Sequence, residues 1–111
     1  MKYEFVITYY FKDQLKWLSK KFPKVYDDFE SFKNNLDPNF AIHLGEWVYK
    51  SRLKNSSVPT GKRWWFRLIV KLYWKLALPL IIYSKTDKSN ITKEEILEVV
   101  EKILNDKYFY W

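Results

Sequence analysis

Residues 47–86 hold nine cations, Lys50, Arg52, Lys54, Lys62, Arg63, Arg67, Lys71, Lys75 and Lys85, and not one Asp or Glu. Through the same stretch apolar and polar side chains alternate, a pattern that separates into two faces when the chain is extended. Residues 62–72 read as a strand with Trp64, Phe66, Leu68, Val70 and Leu72 on one face. Trp65, Arg67, Ile69 and Lys71 take the other. Before it, residues 47–53 alternate Val48, Lys50 and Arg52 against Trp47, Tyr49 and Leu53. After it, residues 76–83 form a nearly continuous apolar run, as expected of an inner strand. Residues 55–61 (NSSVPTG) are a loop. The turn at Tyr73-Trp74-Lys75 is weakly signalled, because it has no Gly, Asn or Asp.

These nine cations belong to a total of 20, so the remainder of the chain sets 11 basic residues against 13 acidic ones. The net charge of +7 is thus a local +9 offset by −2 elsewhere. A basic surface interleaved with aromatic rings suits a phosphate backbone whose bases stack on those rings. The same residues equally describe a sheet whose outer face is solvated by Lys and Arg. Aromatic residues make up 21% of a 111-residue chain, more than one modest core readily hides, which points to a partner surface. The absence of Cys excludes disulfides and thiolate metal sites, and a single His, His43, argues against zinc. No metal or cofactor is expected. His43 reads as structural or exposed.

Residues 64–83 are about as long as a membrane-spanning helix, but Arg67, Lys71, Lys75 and Pro79 oppose insertion. Spaced by four, the three cations would give a surface helix a basic stripe for an anionic membrane. In a strand they also share a face. Pro79 and the flanking alternation favour strands, and no membrane partner is expected. Residues 1–5 are charged and alternating, unlike a signal peptide, so the expected compartment is the cytoplasm.

The rest of the chain supplies helices. Residues 2–8 alternate as a half-buried strand, with Tyr3, Phe5 and Ile7 on one side. Phe11, Leu15, Leu18 and Phe22 then line one helix face, and Val25, Phe29, Phe32 and Leu36 another. Pro23 ends the first helix and is suited to be the first residue of the second. Two matched apolar stripes predict a helical hairpin lying across a sheet. Residues 34–40 (NNLDPNF) are its exit loop. Near the end, Thr92 and Glu95 form a capping box and Ile91 and Ile96 a hydrophobic staple. Ile96, Val99, Val100, Ile103 and Leu104 form the buried stripe of that helix. Glu94 and Glu95 suit its positive end. Residues 108–111 are four aromatics in a row, a cover for the helix or for a partner.

The resulting order, βααβββα, resembles the RelE/ParE superfamily of type II toxin–antitoxin toxins. So do Thr8…Phe11 before a Lys-rich helix, Tyr49-Lys50-Ser51-Arg52, Gly61-Lys62…Phe66-Arg67-Leu68-Ile69, and Ile82-Tyr83-Ser84-Lys85 followed by Asn90-Ile91…Glu95-Ile96. The resemblance covers nearly the whole chain. It implies one α+β domain over residues 1–111, a small antiparallel sheet with an N-terminal helical hairpin and a C-terminal helix. It further implies a cytoplasmic, ribosome-dependent mRNA endoribonuclease silenced by a cognate antitoxin. The alternative is a member that cleaves nothing and binds an antitoxin or nucleic acid, or poisons gyrase.

RNA cleavage by attack of the 2′-hydroxyl on its own phosphate suits the residues present. Cations stabilise the phosphorane, and titratable groups move two protons. Lys50, Arg52, Lys62, Arg67, Tyr83 and Lys85 supply both, and crowding of cations lowers the pKa of a Lys among them. The resemblance sets Arg67 on the phosphate and Tyr83 against a base. Lys50, Arg52 or Lys62 is left for proton transfer or backbone holding, with Lys54, Arg63, Trp65 and Lys71 on the RNA. In many family members two glycines stand where this chain has Arg63-Trp64-Trp65, so the rings beside Arg67 either stack bases or narrow the pocket.

Overall fold

Two adjacent residues of one strand are buried on opposite sides of the sheet. Leu68 packs with Phe11, Leu15, Phe29 and Ile82, whereas Ile69 packs with Val48, Ile81, Ile96 and Ile103. Successive side chains of a strand leave opposite faces, so this sheet is covered on both. A computed structural model describes residues 2–58, 65–85, 88, 90–105 and 109–110. Among these it shows a small α+β protein of three α-helices and a five-stranded, mostly antiparallel sheet.

The chain enters on two short strands, β1 (Glu4–Phe5) and β2 (Ile7–Thr8), before α1 (Tyr9–Lys21) and α2 (Val25–Asn35). The single strand expected over residues 2–8 is thus broken at Val6, which is buried and donates its N–H to Ala77 O at 2.9 Å. Thr8 then caps α1, its hydroxyl accepting from Phe11 N at 3.1 Å. Pro23 does not open α2: it lies in the connecting turn, and Lys24 is the N-cap. Asp28 in the first turn of α2 accepts from the backbone N and the hydroxyl of Ser56, tying the helical pair to the loop that follows the strand ending at Leu53. Asp37 caps a single 3-10 turn, Pro38–Phe40.

The sheet runs β1-β6-β5-β4-β3, with β3 (Ile42–Gly45), β4 (Val48–Leu53), β5 (Phe66–Tyr73) and β6 (Leu76–Ser84). Only β1–β6 is a parallel pairing among them. β3 is an addition to the expected order. It is joined to β4 by Glu46-Trp47, both at positive φ (50° and 64°), after Gly45 at 98°. Such a turn normally carries Asn-Gly, so its signal was missing from the sequence. Residues 62–64, expected at the start of the third strand, lie outside the described residues, and so do Tyr108 and Trp111. The C-terminal Phe109–Tyr110 forms β7, antiparallel to β2.

α1 and α2 cover one face of the sheet through Phe11, Leu15, Phe22, Val25 and Phe29. Helix α3 (Lys93–Asn105) covers the other with Ile96, Val99 and Ile103. The capping box closes as expected, Glu95 N donating to Thr92 Oγ1 at 3.2 Å and Thr92 N to Glu95 Oε1 at 3.3 Å. Leu104 is a correction: it is 70% exposed, one position past the turn that Ile103 uses to reach the core. No helix among the described residues is long and apolar enough to cross a membrane.

Candidate nucleic-acid interface

Strand register brings three of the predicted residues into one row. Arg52 on β4 is paired with Arg67 on β5, and Arg67 with Tyr83 on β6. Directly opposed residues of antiparallel strands share a face, here the face that carries α3. This row is the last but one at its end of the sheet. Leu53, Phe66 and Ser84 make the final row, and Lys54, Trp65 and Lys85 follow one step beyond. Lys54 and Lys85 are exposed.

The row is electrostatically strained in a useful direction. Arg67 is partly buried, and its Nη1 donates to Trp65 O at 3.0 Å. Burial first and repulsion from Arg52 second pull its pKa below the ordinary value, with Tyr83 acting in the opposite sense. A guanidinium remains protonated regardless, and among the described residues no carboxylate pairs with Arg67. Such a site attracts an anion. Tyr83 is 6% exposed, and its hydroxyl has no hydrogen-bond partner among the described residues. Burial pushes its pKa above the ordinary tyrosine value, opposed by Arg67 and aided by Glu95. Tyr83 is therefore a neutral phenol at physiological pH, a proton donor. The nearby Glu95 is itself held by Lys88 and Thr92, with its pKa lowered chiefly by the hydrogen bond from Lys88.

The other predicted cations do not all gather here. Lys50 lies two rows inward, opposite Ile69. Lys71 lies two rows further still, with Nζ 5.2 Å from the Tyr73 ring centroid. Between Arg67 and Lys71 on this face stands Ile69, fully buried in the core under α3. The expected stripe of 67, 71 and 75 also stops short, because Lys75 belongs to the β5–β6 turn. Lys62 and Arg63 lie outside the described residues. His43 is exposed and stacks on Tyr49 with ring centroids 4.7 Å apart. Among the described residues no cluster of His, Cys, Asp or Glu is arranged to hold a metal ion.

Two features of this end were not foreseen. Gln14 of α1 acts as a substitute strand along β6, its Nε2 donating to Leu80 O and its Oε1 accepting from Ile82 N, each at 2.9 Å. This steadies the segment that carries Tyr83. A polar residue beside an apolar helix stripe gives no hint of such a role. Second, a hollow of about 410 Å³ runs between α1 and the end of β6, lined by Tyr10, Gln14, Trp17, Tyr83 and Ser84 among others. At the opposite end of the sheet a larger apolar cleft of about 450 Å³ is walled by Tyr3, Trp47, Tyr49, Tyr73 and Trp74.

The chain matches no family model, no curated protein and no solved structure.

Proposed function

We propose that this protein is a toxin of RelE/ParE type that cleaves mRNA through 2′-hydroxyl attack, with Arg52, Arg67 and Tyr83 at its chemical centre. The observation that carries the reading is the cross-strand row itself: two like-charged guanidiniums beside a buried phenol with no hydrogen-bond partner among the described residues. Among the described residues no carboxylate compensates that charge, and a phosphodiester supplies the anion. The acid-free stretch of residues 47–86 supports the same reading.

In this mechanism the 2′-oxygen forms a bond to phosphorus while the bond to the 5′-oxygen breaks. Arg67, assisted by Arg52, neutralises the charge that builds on the non-bridging oxygens of the phosphorane. Tyr83, neutral and buried, donates to the departing 5′-oxygen or to a phosphoryl oxygen. The proton of the 2′-hydroxyl leaves to solvent at this open end of the sheet, while Lys54 and Lys85, exposed beyond the row, hold the flanking phosphates. A cyclic 2′,3′-phosphate and a free 5′-hydroxyl are the products.

The test is single-turnover cleavage of mRNA, on and off the ribosome, beside growth arrest on induced expression. Arg67→Ala is expected to slow cleavage by about 10²–10³-fold, as loss of one donor to a developing oxyanion does. Arg67→Lys restores part of the rate, since a point charge replaces a planar fork. Full activity in a folded Arg67→Ala protein overturns the assignment.

The cleft at the other end of the sheet favours a second role, capture of a partner. Trp47 is 65% exposed and Trp74 96%, and both line an apolar hollow. Rings so placed suit the apolar side chains of an antitoxin segment. A protein that binds its antitoxin there and cuts no RNA would be a binding module only.

A further inference from the structure

The Tyr83 end of the sheet continues onto α1. The hollow that Tyr83 and Ser84 line is lined also by Trp17, and Trp17 lines the neighbouring hollow of about 520 Å³ with Lys20 and Lys21. Tyr10, Gln14, Trp17 and Lys21 fall at i, i+4, i+7 and i+11, so they stand along one stripe of α1. The indole of Trp17 is 72% exposed, and Lys20 Nζ lies 4.7 Å from its ring centroid. Over Tyr9–Lys21 the helix carries Lys12, Lys16, Lys20 and Lys21 against Asp13 alone.

We propose that Trp17 is a stacking platform for one base of the single-stranded RNA bound at the Arg67 row, with Lys20 and Lys21 on the adjoining phosphates. This rests on the reading of that row as an RNA site. Charge decides the occupant. An apolar protein segment laid over Trp17 would desolvate the ammonium groups around it, whereas a nucleotide presents a flat ring to the indole and an anion to the lysines. The Lys20 ammonium over the indole shows that this exposed ring face accepts a cation, which an incoming base displaces onto the adjoining phosphate. Alternating ring and cation along a groove is the arrangement by which proteins follow single strands without reading sequence.

The probe is a mixed-sequence, single-stranded oligoribonucleotide made uncleavable by 2′-O-methylation, with affinity followed by fluorescence anisotropy over a salt series. Trp17→Ala is expected to weaken binding by about 5- to 150-fold, the range for loss of one base–aromatic stack. The salt slope should stay unchanged, because no phosphate contact is removed. Trp17→Phe should keep most of the affinity. Lys20→Ala and Lys21→Ala should each lower the slope by about 0.7, one phosphate contact on a single strand. Thermal melting confirms that the exposed position leaves folding intact. Wild-type affinity in folded Trp17→Ala overturns this proposal, and the Arg67 reading survives it if wild type still cleaves. A wild-type protein that does not bind the oligonucleotide overturns both.

Discussion

Arg52 and Arg67 face each other directly across β4 and β5, two like charges in register where an opposite pair would stabilise the sheet. The arrangement weakens the fold slightly and makes sense as a site kept ready for an anion. Arg52→Gln is therefore expected to stabilise the protein. The gain is a few tenths of a kcal/mol, because Arg52 is exposed and its repulsion is screened. Thermal melts at low and high salt measure it, with the gain shrinking as salt rises. Cleavage should fall at the same time. A loss of stability on removing Arg52 would contradict the repulsion argument.

Tyr83 gives a pH dependence with a definite sign. Its pKa is raised in the folded protein, chiefly by burial, so folding favours the protonated phenol. The stabilisation is complete below the unfolded tyrosine value near 10 and is lost as pH climbs through that value towards the folded one. Tyr83→Phe should abolish this alkaline loss. It also removes a buried hydroxyl with no partner among the described residues, so stability at neutral pH should be equal or higher. Cleavage should drop nonetheless. Urea melts at neutral pH and at about pH 10 compare the two proteins.

How much of this was legible beforehand depended on whether a residue's role was local. The apolar stripes of Phe11, Leu15, Phe22 and of Val25, Phe29 were readable because helix period and burial coincide. So was the Thr92–Glu95 capping box, a contact three residues apart. β3 went unseen because Ile42 to Gly45 is short and its turn is made by Glu46-Trp47 in a conformation that sequence ordinarily marks with Asn-Gly. At the candidate site, alternation put Arg67 and Lys71 on one face, but it could not show that buried Ile69 divides them. The alignment of Arg52 with Arg67 and Tyr83 is a matter of register between strands, which no single strand encodes.

Gln14 tests the support behind the site. Its side chain satisfies Leu80 O and Ile82 N where β6 has passed the end of β1 and would otherwise present an open edge. Gln14→Ala leaves both backbone groups to water or to nothing, at an expected cost of about 1–3 kcal/mol. Gln14→Glu keeps the acceptor for Ile82 N and loses the donor to Leu80 O, so it should fall between the two. Hydrogen exchange at the Ile82 amide is the local readout, with denaturant melts for the total. Unaltered protection of that amide in Gln14→Ala would show that the edge is held by something else.

Trp47 and Trp74 set stability against recognition. Both hold left-handed backbone, φ 64° and 52°, at the two tight turns, and both stand exposed around the apolar cleft. A bulky residue in that conformation costs of order 1–3 kcal/mol. Trp74 is 96% exposed and so recovers little of this by burial. Trp74→Gly relieves the backbone, although glycine has more freedom to lose on folding. The expected net effect is a stability gain of up to about 1 kcal/mol. Trp47, less exposed, should gain less from the same change. If the rings are retained for a partner, each Gly variant should bind a cognate antitoxin more weakly while melting no lower than wild type. Calorimetric titration beside thermal melting separates the two quantities. Stability that falls with Trp74→Gly would mean the ring is anchored to the fold, and undiminished antitoxin binding by a variant lacking both rings would move the partner away from this cleft.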